Sequence, residues 1–268
     1  MTRLAVLGSP IAHSKSPALH RAAYRVLGLD WEYNAIEVTT DALPAFVEGR
    51  GPDWRGLSLT MPLKRTVLPL LGTLDEFSEL TGGANTVLFR DGVRHGFNTD
   101  VTGAIDALGT AGIESVDGVR ILGGGATAAS MVVAVSRLGV RRLVLSVRSP
   151  DRVGAIIALC ERLDLPLEVE ELGTNSLDWT PDLVISTLPN GVGLGLAPVP
   201  GAALFDVAYD PWPTALAAPW LDAGLAVIPG IELLLHQAVV QVRIFVAGSP
   251  SAELPDEAAV VAAMREAA

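Results

Sequence analysis

The sequence predicts an α/β protein of two α/β domains, a discontinuous first domain on a mostly parallel sheet and a doubly wound second domain, with a cleft between them. Three observations predict this. Short apolar, β-branched runs alternate with helical runs, the order that builds βαβ units and parallel sheets covered by helices. From about residue 101 the alternation becomes regular, as in a doubly wound domain. Two last helical runs then follow the final strand with no strand after them, so they need not belong to the second domain. At 268 residues the chain is near the size at which one core commonly becomes two. The expected boundaries are 1–100 plus 231–268 for the first domain and 101–230 for the second.

In order, the first domain reads "RLAVLG" as strand, "SPALHRAAYRVLG" as helix, "WEYNAIEV" as strand, "DALPAFVEG" as helix and "LSLTMP" as strand. The second series opens with "VTGAIDALGTAG" as helix, then "VRILGGG" as strand and turn, "ATAASMVVAVSRLG" as helix and "RRLVLSVR" as strand. "SPDRVGAIIALCERL" follows as helix, then the strand runs "LEVEEL", "DLVISTL", "ALFDVAY" and "LAVIPG". The closing helices are "GIELLLHQAVVQVRIFVAG" and "PDEAAVVAAMREA". No internal repeat is evident.

Composition narrows the function classes. Half of the residues are hydrophobic and 18% are charged, which suits a folded globular chain. A net charge of −11 argues against a nucleic-acid surface, which needs clustered Lys and Arg. The N-terminal apolar run is too short for a signal peptide, and no apolar stretch is read as reaching the ~18 residues of a membrane span. The expectation is a cytoplasmic protein that binds neither membrane nor nucleic acid. A single cysteine, Cys160, excludes an internal disulfide and reads as a buried small hydrophobe in an apolar stripe.

"RILGGGATAAS" runs an apolar strand into Gly123, Gly124 and Gly125 and then into a helix of small residues. Glycine permits a tight turn and close approach to a pyrophosphate, which then sits on the free N–H groups of a helix start. The third position of the G-x-G-x-x-G spacing is Ala128. At the end of the next strand a carboxylate would bond the ribose of NAD, whereas arginine suits the 2′-phosphate of NADP. Here Arg148 and Arg152 flank Ser149 with no acid at the strand end, so NADP is the expected cofactor. Ser149 also reads as the cap of a helix that has Pro150 at its first position.

Four polar islands stand in the apolar first domain: "HSKS" (13–16), "TMPLK" (60–64), "GGANT" (82–86) and "NTD" (98–100). Scattered histidines and the lack of a carboxylate pair at ligand spacing argue against a metal site. One lysine, one aspartate, two asparagines and several hydroxyls suit a polyhydroxylated acid. Ser14 and Ser16, at i and i+2 of an extended segment, would face one anion while Lys15 points elsewhere, with Ser16 also the N-cap of the following helix.

These islands, with "FNTD", "VRSPDR", "AYDPWPT" and "PGIELLLHQA" in the same order, resemble the shikimate dehydrogenase family over nearly the full length. The resemblance implies an N-terminal substrate domain, a Rossmann-type NADP-binding domain, and interconversion of 3-dehydroshikimate and shikimate. It implies that Lys64 and Asp100 are the catalytic pair and that Ser14 and Ser16 hold the substrate carboxylate. Thr60, Asn85 and Gln237 would contact ring hydroxyls, Tyr209 would lie near substrate, and Gly230 near the nicotinamide. The cofactor site would comprise Gly123, Gly124, Gly125, Ala126, Thr127, Arg148, Ser149, Arg152 and Thr187.

Three positions depart from the family pattern: Ser58 where asparagine is usual, Val147 before the cofactor arginine, and Glu232 in place of a common glycine. None removes the catalytic pair, whose ammonium and carboxylate would titrate as one coupled unit. His13, His20 and His236 read as structural or solvated. The rival functions are a quinate or dual quinate/shikimate dehydrogenase and, in another class, a catalytically silent nucleotide-binding regulator on the same fold. A monomer and a homodimer are both compatible with the sequence.

Overall fold

The computed structural model describes residues 1–173, 179–189, 192 and 196–268. It divides into two compact units, Met1–Gly103 with Leu234–Ala268, and Ala104–Leu233. In chain order the first unit contributes β1 (Thr2–Gly8), α1 (Ser16–Val26), β2 (Trp31–Glu37), α2 (Leu43–Glu48), β3 (Trp54–Leu59) and α3 (Leu63–Thr66). It continues with β4 (Thr73–Leu74), α4 (Glu76–Thr81), β5 (Thr86–Arg90) and β6 (Val93–Phe97), and α5 (Asp100–Thr110) begins in it. The sheet order is β2-β1-β3-β5-β6-β4.

β1 shows why this half folds as it does. Side chains alternate across a strand, and in "RLAVLG" both sets are apolar: Leu4 and Val6 enter one core, Ala5 and Leu7 another. The sheet is therefore covered on both faces, with β1 paired in parallel to β2 and β3. The β5–β6 hairpin, absent from the sequence reading, makes the rest of this sheet partly antiparallel. Its turn, Asp91-Gly92, has both residues at positive φ, as a two-residue hairpin loop requires.

The second unit contains β7 (Gly118–Leu122), α6 (Ala126–Arg137), β8 (Arg142–Val147), α7 (Gly154–Arg162), β9 (Leu167–Glu171) and β10 (Leu183–Ser186). β11 (Ala203–Asp206), α8 (Ala217–Asp222) and β12 (Val227–Pro229) complete it, before α9 (Gly230–Ala247) and α10 (Glu257–Glu266). All five strand pairs are parallel, in the order β12-β11-β10-β7-β8-β9. This is the doubly wound arrangement, with the order reversing beside β7.

Three local expectations are corrected. "SPDRVGAIIALCERL" is not one helix: a 3-10 turn over Pro150–Arg152 precedes α7, because Val153 leaves helical geometry at φ −102, ψ 18. Ser16 is the first residue of α1 and not its cap, and Lys15 is helical at φ −83, ψ −8, so the segment is not extended there. Lastly, α9 is long and apolar enough to cross a membrane, contrary to the reading of the sequence. Its apolar residues are instead spent on a protein core, where Leu235, Val239, Val242 and Phe245 pack against β1 and α1 residues.

Candidate active site

The carboxyl ends of parallel strands carry most of the predicted residues. In the first unit β3 ends at Leu59, and Thr60 follows half-buried, its N–H donating to the Leu7 carbonyl of β1. One helical turn later α3 carries Lys64, whose carbonyl accepts from the Ala84 N–H and so ties "TMPLK" to "GGANT". Asp100 opens α5, and Lys64 Nζ donates to its Oδ2 at 2.5 Å. The two side chains are 14% and 6% exposed, so this is not a solvated surface pair.

Asn85 closes the other side of the carboxylate, donating from Nδ2 to Asp100 Oδ1 at 2.7 Å. Its own Oδ1 accepts from the Thr99 N–H at 2.9 Å, which settles the orientation of the amide because a backbone N–H can only donate. Asn98 is scaffold: its Nδ2 donates to Thr81 Oγ1 and the Gly83 carbonyl, and its Oδ1 accepts from the Asp100 N–H. Asp75 caps α4 through Ser78 and also accepts from the Asn98 N–H, with its carboxyl raised above the usual range by burial.

Gln237 reaches this cluster from α9, its Oε1 3.4 Å from Asn85 Nδ2 and from Thr99 Oγ1. The approach depends on Gly103 of α5, where a Cβ would fall 2.7 to 2.9 Å from the backbone and Cβ of Gln237. Lys64, Asp100, Asn85 and Gln237 are thus one connected group. Ser14 and Ser16 form a separate pair after β1, with the Ser16 N–H donating to Ser14 Oγ at 3.3 Å. Lys15 does turn away, donating to the Ala268 carbonyl.

In the second unit the glycine turn leaves β7 and enters α6 with no side-chain cap at Gly125, so the N–H groups of the first turn, at Ala126 and Thr127, are not taken up by a cap. Gly123 has φ +103, and a Cβ there would lie 2.5 Å from Thr187 Oγ1. Thr187 itself bonds the Leu122 carbonyl through both N–H and hydroxyl. Arg148 and Arg152 are exposed on either side of Ser149, and the Ser149 hydroxyl makes no capping bond. Unsatisfied N–H groups, two exposed guanidinium groups and a spare hydroxyl suit a phosphate-bearing cofactor.

Tyr209 is half-buried just after β11, and Gly230 is buried at the start of α9, where a Cβ would meet the Val207 carbonyl at 2.1 Å. The stretch that follows β11 is stapled by Asp206, which accepts from Thr214 Oγ1 at 2.5 Å and from the Ala208 N–H. Burial raises the Asp206 carboxyl, and a small pocket beside it is lined by Ser186, Leu188, Ala208 and Thr214. Cys160 is buried, its thiol pushed up to about 11, as suits a residue without a chemical role.

Tyr33 and Gln241 escaped the sequence reading, which had Ser58 as a departure from the family pattern and His20 as structural or solvated. His20, Tyr33, Ser58 and Gln241 are buried and hydrogen-bonded to one another behind Gln237. Gln241 could have been found, since it lies four residues after Gln237 on the same apolar helix face and a buried amide needs a partner.

Residues 6–87 match the family model described as the shikimate dehydrogenase substrate binding domain. The shikimate dehydrogenase (NADP(+)) of Methylobacterium radiotolerans is 36% identical over 251 residues, covering 88% of each chain. The crystal structure of Mycobacterium tuberculosis shikimate dehydrogenase is 37% identical with a TM-score of 0.87, covering 99% of this chain and 100% of its own. Shikimate 5-dehydrogenase from Thermus thermophilus, solved in complex with NADP(H) and shikimate, is 30% identical with a TM-score of 0.83, and each chain is covered fully.

Proposed function

The chain belongs to the shikimate dehydrogenase family, and from that premise we propose that it is the NADP-dependent oxidoreductase that reversibly reduces 3-dehydroshikimate to shikimate. The observation that carries the reading is the Lys64–Asp100 pair, mostly buried and held from behind by Asn85. A silent regulator would have no use for such a pair, and charge burial without function is costly. Residues 1–100 with 231–268 serve as the substrate domain and residues 101–230 as the NADP domain. The protein acts in the cytoplasm as a monomer or homodimer.

Bound NADPH supplies a hydride to the carbonyl carbon of the substrate. The chain must hold that carbonyl and deliver a proton to its oxygen. Lys64 Nζ is the donor: Asp100 Oδ2 aims the ammonium, and Asn85 keeps the carboxylate in place through Oδ1. After the proton leaves, Lys64 is recharged from solvent, which its 14% exposure permits. Ser14 and Ser16 bind the substrate carboxylate through their hydroxyls, and Thr60, Asn85 and Gln237 bind ring hydroxyls. Thr60 is suited to this because its hydroxyl has no hydrogen bond among the described residues.

Arg148 and Arg152 carry the preference for the 2′-phosphate, with Ser149 between them and the pyrophosphate on the start of α6. The deciding experiment measures initial rates with shikimate and quinate, each with NADP and NAD. Shikimate with NADP should exceed every other combination by at least about tenfold; comparable rates with quinate would assign the dual activity.

A further inference from the structure

Behind Gln237 lies a polar chain whose directions can be worked out from a group that can only accept. Gln237 Nε2 donates to the Leu234 carbonyl at 2.9 Å, so the other end of that amide must be oxygen. Three donors surround that oxygen: Gln241 Nε2 at 2.8 Å, with Asn85 Nδ2 and Thr99 Oγ1 at 3.4 Å. Gln241 must then turn its own Oε1 to the opposite side. There it meets Ser58 Oγ at 2.7 Å and His20 Nε2 at 3.1 Å, and both have to donate.

Each of those requirements is met one bond further back. Ser58 can donate because its oxygen accepts from Tyr33 Oη at 2.8 Å. His20 carries its proton on Nε2, leaving Nδ1 to accept from Tyr24 Oη at 3.1 Å, and its ring stacks on Tyr33 with centroids 4.0 Å apart. Complete burial keeps the imidazole neutral, lowering it to about 3. From the Tyr24 and Tyr33 hydroxyls through His20, Ser58 and Gln241 to Gln237 Oε1, the bonds run in a single consistent direction.

We propose that His20, Tyr33, Ser58 and Gln241 are positioning residues that lock the Gln237 amide with Oε1 inward, so that Gln237 meets the substrate only as a hydrogen-bond donor through Nε2. Ser58 spends its hydroxyl on Tyr33 and Gln241 and is not itself a substrate ligand. This deepens the function proposed above and rests on Gln237 being a ligand. It makes the site selective for an oxygen that accepts at that ring position, since a donor-only group there would face an N–H.

The test is a pair of double-mutant cycles on the full chain with NADPH. Gln241→Met keeps the size and neutrality of the side chain but removes the lock; Ser58→Ala removes one of the two donors to it. Gln241→Met should raise the substrate KM about tenfold and Ser58→Ala about threefold, with kcat and the NADPH KM held within about twofold. Both effects should vanish in a Gln237→Ala background, where there is no amide left to orient. The proposal is overturned if Gln237→Ala raises KM while neither partner variant does, or if their effects persist in full without Gln237. An unchanged KM in Gln237→Ala alone would remove the ligand, and the proposal with it, while leaving the Lys64 chemistry standing.

Discussion

The polar cluster around Asp100 and the proposed cofactor side of the second unit solve opposite problems. Around Asp100 the ionisable and amide groups are buried and already bonded to one another, Lys64 to Asp100, Asp100 to Asn85, Asn85 to Gln237. After β7 and β8 the groups are exposed or half-buried and mostly unspent: an uncapped helix start, two arginines and one serine hydroxyl. A group that transfers a proton gains from being held before the substrate arrives. Groups that bind a charged, hydrated phosphate lose less by waiting in water, since the ligand itself brings the partner charge. The difference separates orientation of chemistry from capture of charge.

The sharpest way to break that contrast is Lys64→Ala. Turnover should fall by roughly two to four orders of magnitude while NADPH binding, followed by fluorescence titration, stays near wild type; turnover within threefold would remove Lys64 from the chemistry. Stability should drop as well, by about 3 kcal/mol in denaturant unfolding, because Asp100 is left a buried charge without its cation. On the open side, replacing Arg148 and Arg152 together by alanine should raise the NADPH KM about 10- to 100-fold and the NADH KM by less than about threefold. Equal effects on the two cofactors would refute the 2′-phosphate assignment, and no loss of melting temperature is expected because both side chains are exposed.

The buried side should also be the one that responds to pH. His20 is held far below its ordinary value by burial, so between about 6.5 and 3 the unfolded chain takes up a proton that the folded chain refuses. That contribution weakens the fold progressively as pH falls below about 6.5 and is nil above it. Asp75 and Asp206, both raised by burial, act in the opposite direction, because the folded state binds their protons more tightly as pH falls. Melting temperatures from pH 7 to 4 should therefore decline less in His20→Gln than in wild type, and identical slopes would exclude His20 as the acid-sensitive group.

The smallest effect expected is at the start of α1. Ser16→Ala removes no capping bond, since Ser16 is already inside the helix, whereas Ser14→Ala removes the acceptor for the Ser16 N–H. Ser14→Ala should cost about 0.5 kcal/mol of stability in addition to any loss of substrate affinity. Ser16→Ala should change the substrate KM with no measurable change in unfolding. The reading from an extended segment assigned these roles the other way round, because it could not see that Lys15 turns into the helix.

Much was available from residue order alone. Alternating apolar runs specified two α/β units, and the glycine turn after β7 and the arginines after β8 could be placed from local pattern, because a strand-turn-helix junction is built from neighbours in sequence. Lys64, Asp100, Asn85 and Gln237 came from family motifs, each read as a separate island. What tertiary structure alone decided is how those islands join and which way each amide points. Gln237 and Asn85 are 152 residues apart, and nothing in either neighbourhood states that a glycine at 103 lets α9 approach α5. The orientation of Gln237 depends on a backbone carbonyl, a second glutamine, a serine and a histidine drawn from three segments, α9, β3 and α1. Hydrogen-bond direction is a property of the assembled contacts, so it becomes determinate only when the donors and acceptors of distant segments have been buried together.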